Sequence, residues 1–500
     1  MDLEERTAWL EAHPTPEGFE AITEGAARVI FENKNEVFYN PAQEVNRDLS
    51  VLVLRLFAEQ MRQERGEKFD GITILEALSA TGLRSVRYWK EVPGIKSIVA
   101  NDIETAAVKN IRRNVHFNGI SDTQIIPNQG DARAVMYQNQ KAYDVIDLDP
   151  YGSGAEFFDA AVQSINDGGL ICVTCTDMQV LCGNYPEVCS YKYGALPLKG
   201  KPTHEQAVRI VLASLERSAA RYQRHIVPLI SLSMDFYVRM FVRVYTRPEE
   251  AKRSMLCEGK GASQRYLAAS GPPVNRNCDD CGRDHKVLGP IWNRSLYDDE
   301  FIKKAMEELE KNSALFKTHK KVNGYLSVLS QELPDQPLFY DLPAICKVLH
   351  AQQPAMSVFK SAILNANRGY RISISHTVAT AIKTDAPASF LWDILRGWNK
   401  LHPVRPPPPG SVAAAILEKE PSFEADFTER EDAKPEKSKK PRFVHNPPNW
   451  GPGTRRQINV KRAAPEAETT KEGEEAQAEK ETSQPQAKKK RQDSEETAQP

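Results

Sequence analysis

Five hundred residues exceed one compact domain and suggest about two to four of them. Forty per cent apolar, 8% aromatic and 27% charged residues exclude a collagen, a disulfide mini-protein and a membrane-spanning bundle. The 66 basic and 67 acidic residues leave a formal net charge of −1, so any nucleic-acid surface must be a local basic patch rather than a broad coat.

The N-terminal stretch MDLEERTAWLEAHPTPEGFE is acidic. It has neither the apolar core of a signal peptide nor the Arg-rich, acid-poor character of a transit peptide. The most apolar run, 226–245, is broken by Asp235, Arg239 and Arg243, and no stretch reaches the roughly 18 apolar residues of a membrane span. Eight cysteines are too few for a disulfide scaffold in a chain of this length. An intracellular protein with reduced thiols is expected, and no obligate protein partner is evident.

From residue 72 short apolar runs alternate with helical segments. Strands are predicted at Ile72–Leu78, Ser97–Ala100, Gln124–Pro127, Tyr143–Leu148 and Gly169–Thr176. Helices are predicted at Leu83–Val92, Ala106–Asn118 and Ala155–Ile165, with a longer one over 205–224. Strands separated by helices imply βαβ units and a parallel sheet. Ile226–Ser233 and Phe236–Thr246 flank Met234-Asp235 and read as an antiparallel hairpin at the sheet edge. Helical patterns return at 300–317, 355–366 and 387–400.

Ligands of doubly wound sheets bind beyond the carboxyl ends of the strands, and four motifs fall there. After the first strand comes LEALSATGLRS, where Arg84 can hold a carboxylate through a bidentate pair. After the second comes Asp102, suited to ribose hydroxyls and equally to capping the next helix. After the third, Asp131 can accept a hydrogen bond from an adenine amino group and the Ala132 backbone N–H can donate to a ring nitrogen, although a capping Asp would look the same. After the fourth comes Asp149-Pro150-Tyr151-Gly152. An exocyclic base amine is a poor nucleophile because its lone pair is delocalised into the ring. The Asp149 carboxylate and the Pro150 carbonyl can accept its N–H bonds and aim the nitrogen, while Tyr151 stacks on the base for about 1–3 kcal/mol. Alone, the same four residues would be an ordinary strand-ending turn.

Together these segments are recognisable. NEVFYNPAQEVNRDLSV (35–51), ALSATGLRSVRYWKEV (77–92), NDIE (101–104), GDAR (130–133), DLDPYGS (147–153), CTDMQVLCG (175–183) and SISHTVATAIKTDAP (373–387) resemble the tRNA guanine-26 N2-dimethyltransferase family, in the expected order. The resemblance implies a class I S-adenosylmethionine-dependent methyltransferase: α/β, doubly wound, with a mostly parallel seven-stranded sheet, a smaller α+β C-terminal domain and a disordered tail. It implies two successive transfers to N2 of one tRNA guanine. It also implies that Arg47, Arg84, Asp102, Asp131 and Ala132 meet the cofactor, that Asp149 and Pro150 are catalytic, and that Phe38 and Tyr151 sandwich the target base. An apolar-core role for Phe38 stays open, because Val37 and Tyr39 flank it. The other functions weighed are an N2-monomethyl or other base-amine methyltransferase and a non-catalytic tRNA-binding factor. The corresponding domains are 1–60 (a lobe contributing to the site), 61–247 (catalytic), 248–405 (C-terminal, tRNA-holding) and 406–500 (tail).

Two features stand outside that scheme. Cys278-Asp279-Asp280-Cys281 reads as half of a zinc knuckle, and zinc needs four ligands. Family members often carry a second Cys-x-x-Cys upstream. That position reads Cys257-Glu258-Gly259-Lys260, so Cys257, Cys278 and Cys281 supply three ligands, with His285 the candidate fourth. His376 and Lys383 are expected on the RNA face or in interdomain packing, and Arg368 and Arg371 can meet phosphates. Beyond Pro406–Pro409 the composition turns polar, with basic clusters at Lys437–Arg442 and Lys488–Arg491 that read as nuclear-import signals, RNA contacts or a solvated tail, and with Trp450 as a docking aromatic.

Overall fold

The computed structural model describes residues 3–32, 39–253, 257–258, 266–267 and 275–434. Helix α1 (Leu3–Ala12) leads into a hairpin of β1 (Glu20–Glu24) and β2 (Ala27–Phe31). The hairpin turns through Gly25 at φ +56°, and a Cβ there would overlap the Glu91 carboxylate. Helix α2 (Glu44–Arg65) follows an Asn40–Pro41 start in which the Asn40 side chain accepts the Ala42 N–H. Leu49, Leu52, Val53, Phe57 and Met61 bury α2 in the main core. Its first turns also bury Asn46, Arg47, Asp48 and Ser50.

The sheet holds β3 (Ile72–Glu76), β4 (Ile95–Asp102), β5 (Ile125–Gln129), β6 (Tyr143–Leu148), β7 (Ile165–Cys175), β8 (Arg224–Met234) and β9 (Tyr237–Thr246). Its order is β5-β4-β3-β6-β7-β9-β8. The first five strands are parallel, and β9 enters antiparallel between β7 and β8. This is the mostly parallel seven-stranded sheet expected of a class I methyltransferase. Helices α3 (Leu83–Glu91), α4 (Thr105–Phe117), α5 (Ala132–Gln138), α6 (Phe158–Ser164), α7 (Met178–Leu181), α8 (Pro186–Tyr193) and α9 (Thr203–Ala220) fill the connections. All six residues of β6 are buried, as a strand covered on both faces requires. The chain departs from β3 to β4 on one side and returns to β6 on the other, so the switch point, and with it the crevice in which ligands of such sheets bind, falls at the carboxyl ends of β3 and β6.

Beyond the sheet come α10 (Pro248–Arg253) and the pair β10 (Cys257–Glu258) and β11 (Tyr266–Leu267). The helical pattern predicted over 300–317 is α11 (Asp299–Lys311), capped by the Asp298 carboxylate, and it is followed by α12 (His319–Leu329). Both helices bury Phe301, Ile302, Leu309, Leu326 and Leu329 in the same core as the sheet. A second apolar cluster gathers β12 (Tyr340–Asp341), α13 (Leu342–Val348), α14 (Met356–Asn365), β13 (Ile372–Ser373), β14 (Ala381–Thr384), α15 (Ala388–Leu401) and α16 (Val412–Leu417). The apolar cores therefore divide between residues 329 and 342, whereas the sequence placed a domain boundary at 248. Packed structure also continues past Pro406–Pro409, because Ala413, Ile416, Phe423 and Phe427 lie on the second cluster.

Candidate active site

Every element bordering the crevice contributes a polar residue. The turn after β3 carries Ala80 at φ +48° and Gly82 at φ +77°. Asp102, at the end of β4, holds that turn: Oδ2 accepts the Ala80 N–H at 2.8 Å and Oδ1 accepts the Glu104 N–H at 3.0 Å. Its carboxylate stays half-buried, with lone pairs left for a ligand. Asp131 follows β5 and caps α5 through the Arg133 N–H at 2.8 Å, while the Arg133 guanidinium also donates to both of its oxygens. The hydrogen bond from Arg133 holds the Asp131 carboxyl below the usual range. Ala132 is the first residue of α5, where a helix leaves its N–H groups without intrahelical acceptors.

Asp149 lies at the end of β6 and accepts a hydrogen bond from the Arg84 guanidinium. Arg84 is buried on α3; it also donates to Ser50 Oγ at 3.3 Å and stands 3.9 Å from Asp147. Asp147 is wholly enclosed, accepting Tyr88 Oη at 2.6 Å and Arg239 Nη1 at 2.9 Å. Burial works to raise its carboxyl pKa, but the Arg239 and Arg84 guanidiniums prevail and hold it low. Arg239 reaches on to Thr174 Oγ1 at 3.0 Å and Ser50 Oγ at 2.9 Å. Glu76, at the end of β3, behaves oppositely: burial pushes it up to about 8 although Ser85 donates to it. The sequence reading missed Asp147, Ser50 and Arg239. The signal was present, since Asp147 is a charged residue inside the apolar run of β6 and Arg239 interrupts another such run.

Arg47 sits one turn before Ser50 on α2, but its guanidinium pairs with Glu24 and donates to the Asn40 carbonyl at 3.2 Å. It lies 5.2 Å from the Tyr39 ring centroid. Arg87 binds the same Glu24 at 2.7 Å, and Asp48 and Glu91 at 2.7 and 2.8 Å. Burial opposes ionisation of Glu24, and the two arginines overcome it, lowering its pKa to about 2. Arg47 thereby belongs to a buried network that fixes the N-terminal hairpin and α2 to α3. Phe38 lies outside the described residues.

The loop 149–153 follows β6. Tyr151 is 68% exposed beside the half-buried Asp149. Gly152, at φ +92°, donates its N–H to Thr176 Oγ1 and accepts the Thr176 N–H at its carbonyl, both at 2.8 Å. Ser153 Oγ donates to Tyr193 Oη, which donates to Asp177 Oδ1, each at 2.8 Å. The loop is thus held by the ends of β7 and α8.

The cysteines divide. Cys278 and Cys281 share a knuckle turn in which the Gly282 N–H donates to the Cys278 carbonyl at 2.8 Å. His285 turns to the Asn275 carbonyl at 2.7 Å. The backbone of Cys257 pairs with Leu267, and its side chain lies outside the described residues. Among the described residues no group of three or more His, Cys, Asp or Glu is placed to hold a metal. His376 and Lys383 are buried, at 4% and 0% exposure. Lys383 Nζ stands 3.0 Å from Glu205 and 2.8 Å from Glu332, and His376 Nδ1 lies 2.8 Å from Glu332. Of the two expectations for this pair, packing is realised and the RNA face is not. Arg371 is exposed and paired with Asp335 and Asp385. Arg368 lies over the Phe390 and Phe423 rings.

The strand ends thus present the Asp102 carboxylate with lone pairs unused, and the Asp131 carboxylate, held by Arg133, beside the helix-start N–H of Ala132. A profile of the N2,N2-dimethylguanosine tRNA methyltransferase family matches residues 18–396. The tRNA (guanine(26)-N(2))-dimethyltransferase of Schizosaccharomyces pombe is 45% identical over 86% of this chain and 92% of its own length. The human enzyme of the same name is 42% identical over 88% and 78%. The structure of Trm1 from Pyrococcus horikoshii with S-adenosyl-L-methionine is 29% identical, covers 74% of this chain and 98% of its own, and superposes with a TM-score of 0.63.

Proposed function

The chain belongs to the N2,N2-dimethylguanosine tRNA methyltransferase family, and from that membership we infer that it dimethylates the exocyclic N2 of guanine 26 in tRNA, using S-adenosyl-L-methionine. The cofactor supplies an electrophilic methyl group on a sulfonium. Asp102 would hold its ribose hydroxyls, and Asp131 with the Ala132 N–H its adenine. Arg84 would reach its carboxylate, and Arg47 would support this end of the site by anchoring α2.

The target guanine must leave its stack to reach the loop 149–153, at a cost of a few kcal/mol that is least where pairing is weak. Tyr151, with Phe38 as its expected counterpart, supplies the stacking surface. Asp149 accepts one N–H of the amine and the Pro150 carbonyl the other. This aims the nitrogen at the methyl and gives the departing proton a destination on the Asp149 carboxylate. The monomethyl amine retains one N–H for Asp149, so the same arrangement serves the second transfer. The observation that carries this reading is the half-buried Asp149 at the switch point, next to an exposed Tyr151. Asp149→Ala should lower N2,N2-dimethylguanosine formation by at least about 10²-fold, read by nucleoside mass spectrometry after incubating unmodified tRNA with cofactor. Undiminished product would remove Asp149 from the mechanism.

No described helix is long and apolar enough to cross a membrane. Entry into the nucleus through Lys488–Arg491 is part of the same reading, supported by the basic composition of that segment.

A further inference from the structure

Four large apolar side chains stand exposed within or beside one short stretch of chain. Tyr185, Tyr191 and Leu196 are 47%, 74% and 50% exposed. Val287, at 82%, lies two residues from Gly289, which bridges to Leu196. Large apolar side chains left exposed on one segment suit a docking surface. The stretch 184–201 also carries Lys192, Lys199 and Lys201 against a single acidic residue, Glu187. Lys192 leans toward Asp177 at 3.6 Å and Lys201 toward Asp341 at 3.5 Å; Lys199 is exposed beside Gly183.

This stretch is rigidly attached to the loop 149–153. Tyr193 is buried and ties Ser153 to Asp177 through its hydroxyl. The Arg217 guanidinium donates to the carbonyls of Tyr193 and of Gly194, where α8 ends. Gly194 stands at φ +63°, and a Cβ there would strike that guanidinium at 2.6 Å. The exposed tyrosines are therefore carried on an element whose position is fixed relative to Asp149 and Tyr151.

We propose that α8 and the strap to residue 201 form the surface on which the RNA beside the extruded nucleotide docks, with Tyr185 and Tyr191 stacking on bases and Lys199 meeting a phosphate. The proposal rests on the tRNA reading above and specifies where on this chain the RNA lies. Exposed tyrosines interleaved with lysines suit a polyanion that presents π-faces. Continuity with the catalytic loop places them beside the nucleotide being modified.

The test uses the full-length protein and an unmodified tRNA transcript, with binding measured by fluorescence anisotropy, cofactor affinity by calorimetry and mass by light scattering. The Tyr185→Ala/Tyr191→Ala double variant should bind the transcript at least about tenfold more weakly and raise the KM for tRNA, with cofactor affinity unchanged. Lys199→Gln should reduce the slope of log Kd against log salt by about 0.7–0.9, the share of one phosphate contact. Tyr222→Ala, an exposed tyrosine after α9, should leave tRNA binding unchanged. Wild-type affinity and salt slope in the first two variants would overturn the proposal, as would a change of oligomeric mass without loss of tRNA binding, which would make the surface a contact between copies. If the wild-type protein makes no dimethylguanosine, the functional reading fails instead, independently of these comparisons.

Discussion

Replacing Lys383 by Met removes one cation from a pocket in which the Glu205 and Glu332 side chains are 0% exposed. Glu205 keeps the Arg209 ion pair at 2.8 Å and Glu332 keeps a hydrogen bond with His376 Nδ1 at 2.8 Å, so each carboxylate loses its contact with the lysine and Glu332 is left without a cationic partner. Removing one member of a buried ion pair costs about 3–5 kcal/mol, mainly because the partner stays desolvated. At about 2–4 °C per kcal/mol this is a fall in Tm of at least about 6 °C. The pH dependence has a definite sign. Burial opposes ionisation of Glu332, but the neighbouring His376 and Lys383 prevail and hold its carboxyl below the usual range. A depressed carboxylate contributes stability that is present above its unfolded pKa of about 4.3 and is lost as pH falls through the folded value. The variant's Glu332 titrates higher, so the gap between wild type and variant should be widest near neutrality and narrow below about pH 4. Differential scanning fluorimetry from pH 3 to 8, alongside tRNA anisotropy against salt, checks both parts. A variant of wild-type stability with a reduced salt slope would place Lys383 on the RNA face and refute the buried-cluster argument.

Glu76 gives the opposite pH behaviour. Its folded pKa is raised to about 8 by burial, so its contribution is complete below about pH 4.3 and lost as pH rises through 8. Glu76→Gln keeps an acceptor for Ser85 and should flatten the fall of Tm between pH 6 and 9. Gly25→Ala should destabilise by more than about 1–3 kcal/mol, measured by denaturant unfolding, because the new methyl at positive φ meets the Glu91 and Arg87 side chains. Arg84→Lys loses the planar fork that spans Ser50 and Asp149. Calorimetry should show cofactor binding at least about tenfold weaker, with the far-UV circular dichroism unchanged.

The parallel strands were legible because their apolar runs are continuous and bounded by turns, as at β6 and β7. The β8–β9 hairpin was legible from two β-rich segments around a short break, although the turn residues are Asp235-Phe236, with Met234 and Tyr237 paired. Helix α2 was not, and the reason is physical. Its first turns, EVNRDLS, look like a solvated stretch, yet they are buried because Glu24, Arg87 and Arg84 arrive from elsewhere in the chain to pair with them. Asp102 ends β4, and Asp131 and Asp149 follow β5 and β6, as the alternation of strands and helices implied. What spacing could not supply was the pairing of Arg84 with Asp149 and of Arg47 with Glu24, because each joins elements far apart in sequence. The hidden charge of β14 is a further case: the sequence left Lys383 open between the RNA face and interdomain packing, and two glutamates distant in sequence meet it in the interior.

The charge arrangement under Asp149 explains why so many ionisable groups are buried at the strand ends. Arg84 and Arg239 are two cations, Asp147 and Asp149 two anions, and Glu76, raised to about 8, is largely protonated at neutral pH. The cluster therefore carries no net charge. An ionised Glu76 would add a second buried anion beside Asp147 and compete for Arg84, which is the group in contact with Asp149. In the proposed transfer the target amine is neutral, so Asp149 would act through directed hydrogen bonding rather than charge attraction, with its direction set by fixed neighbours. Arg84 holds its carboxylate from α3. Ser50 ties Arg84 and Arg239 to α2. The Thr176 and Tyr193 contacts hold the loop that follows. Four separate chain segments thus fix one carboxylate, and positioning of this kind is the term from which a transfer to a weak nucleophile draws most. Arg47, Arg84, Arg87 and Arg239 also face inward to carboxylates, so these four cations near the site are neutralised locally and add nothing to a basic outer surface.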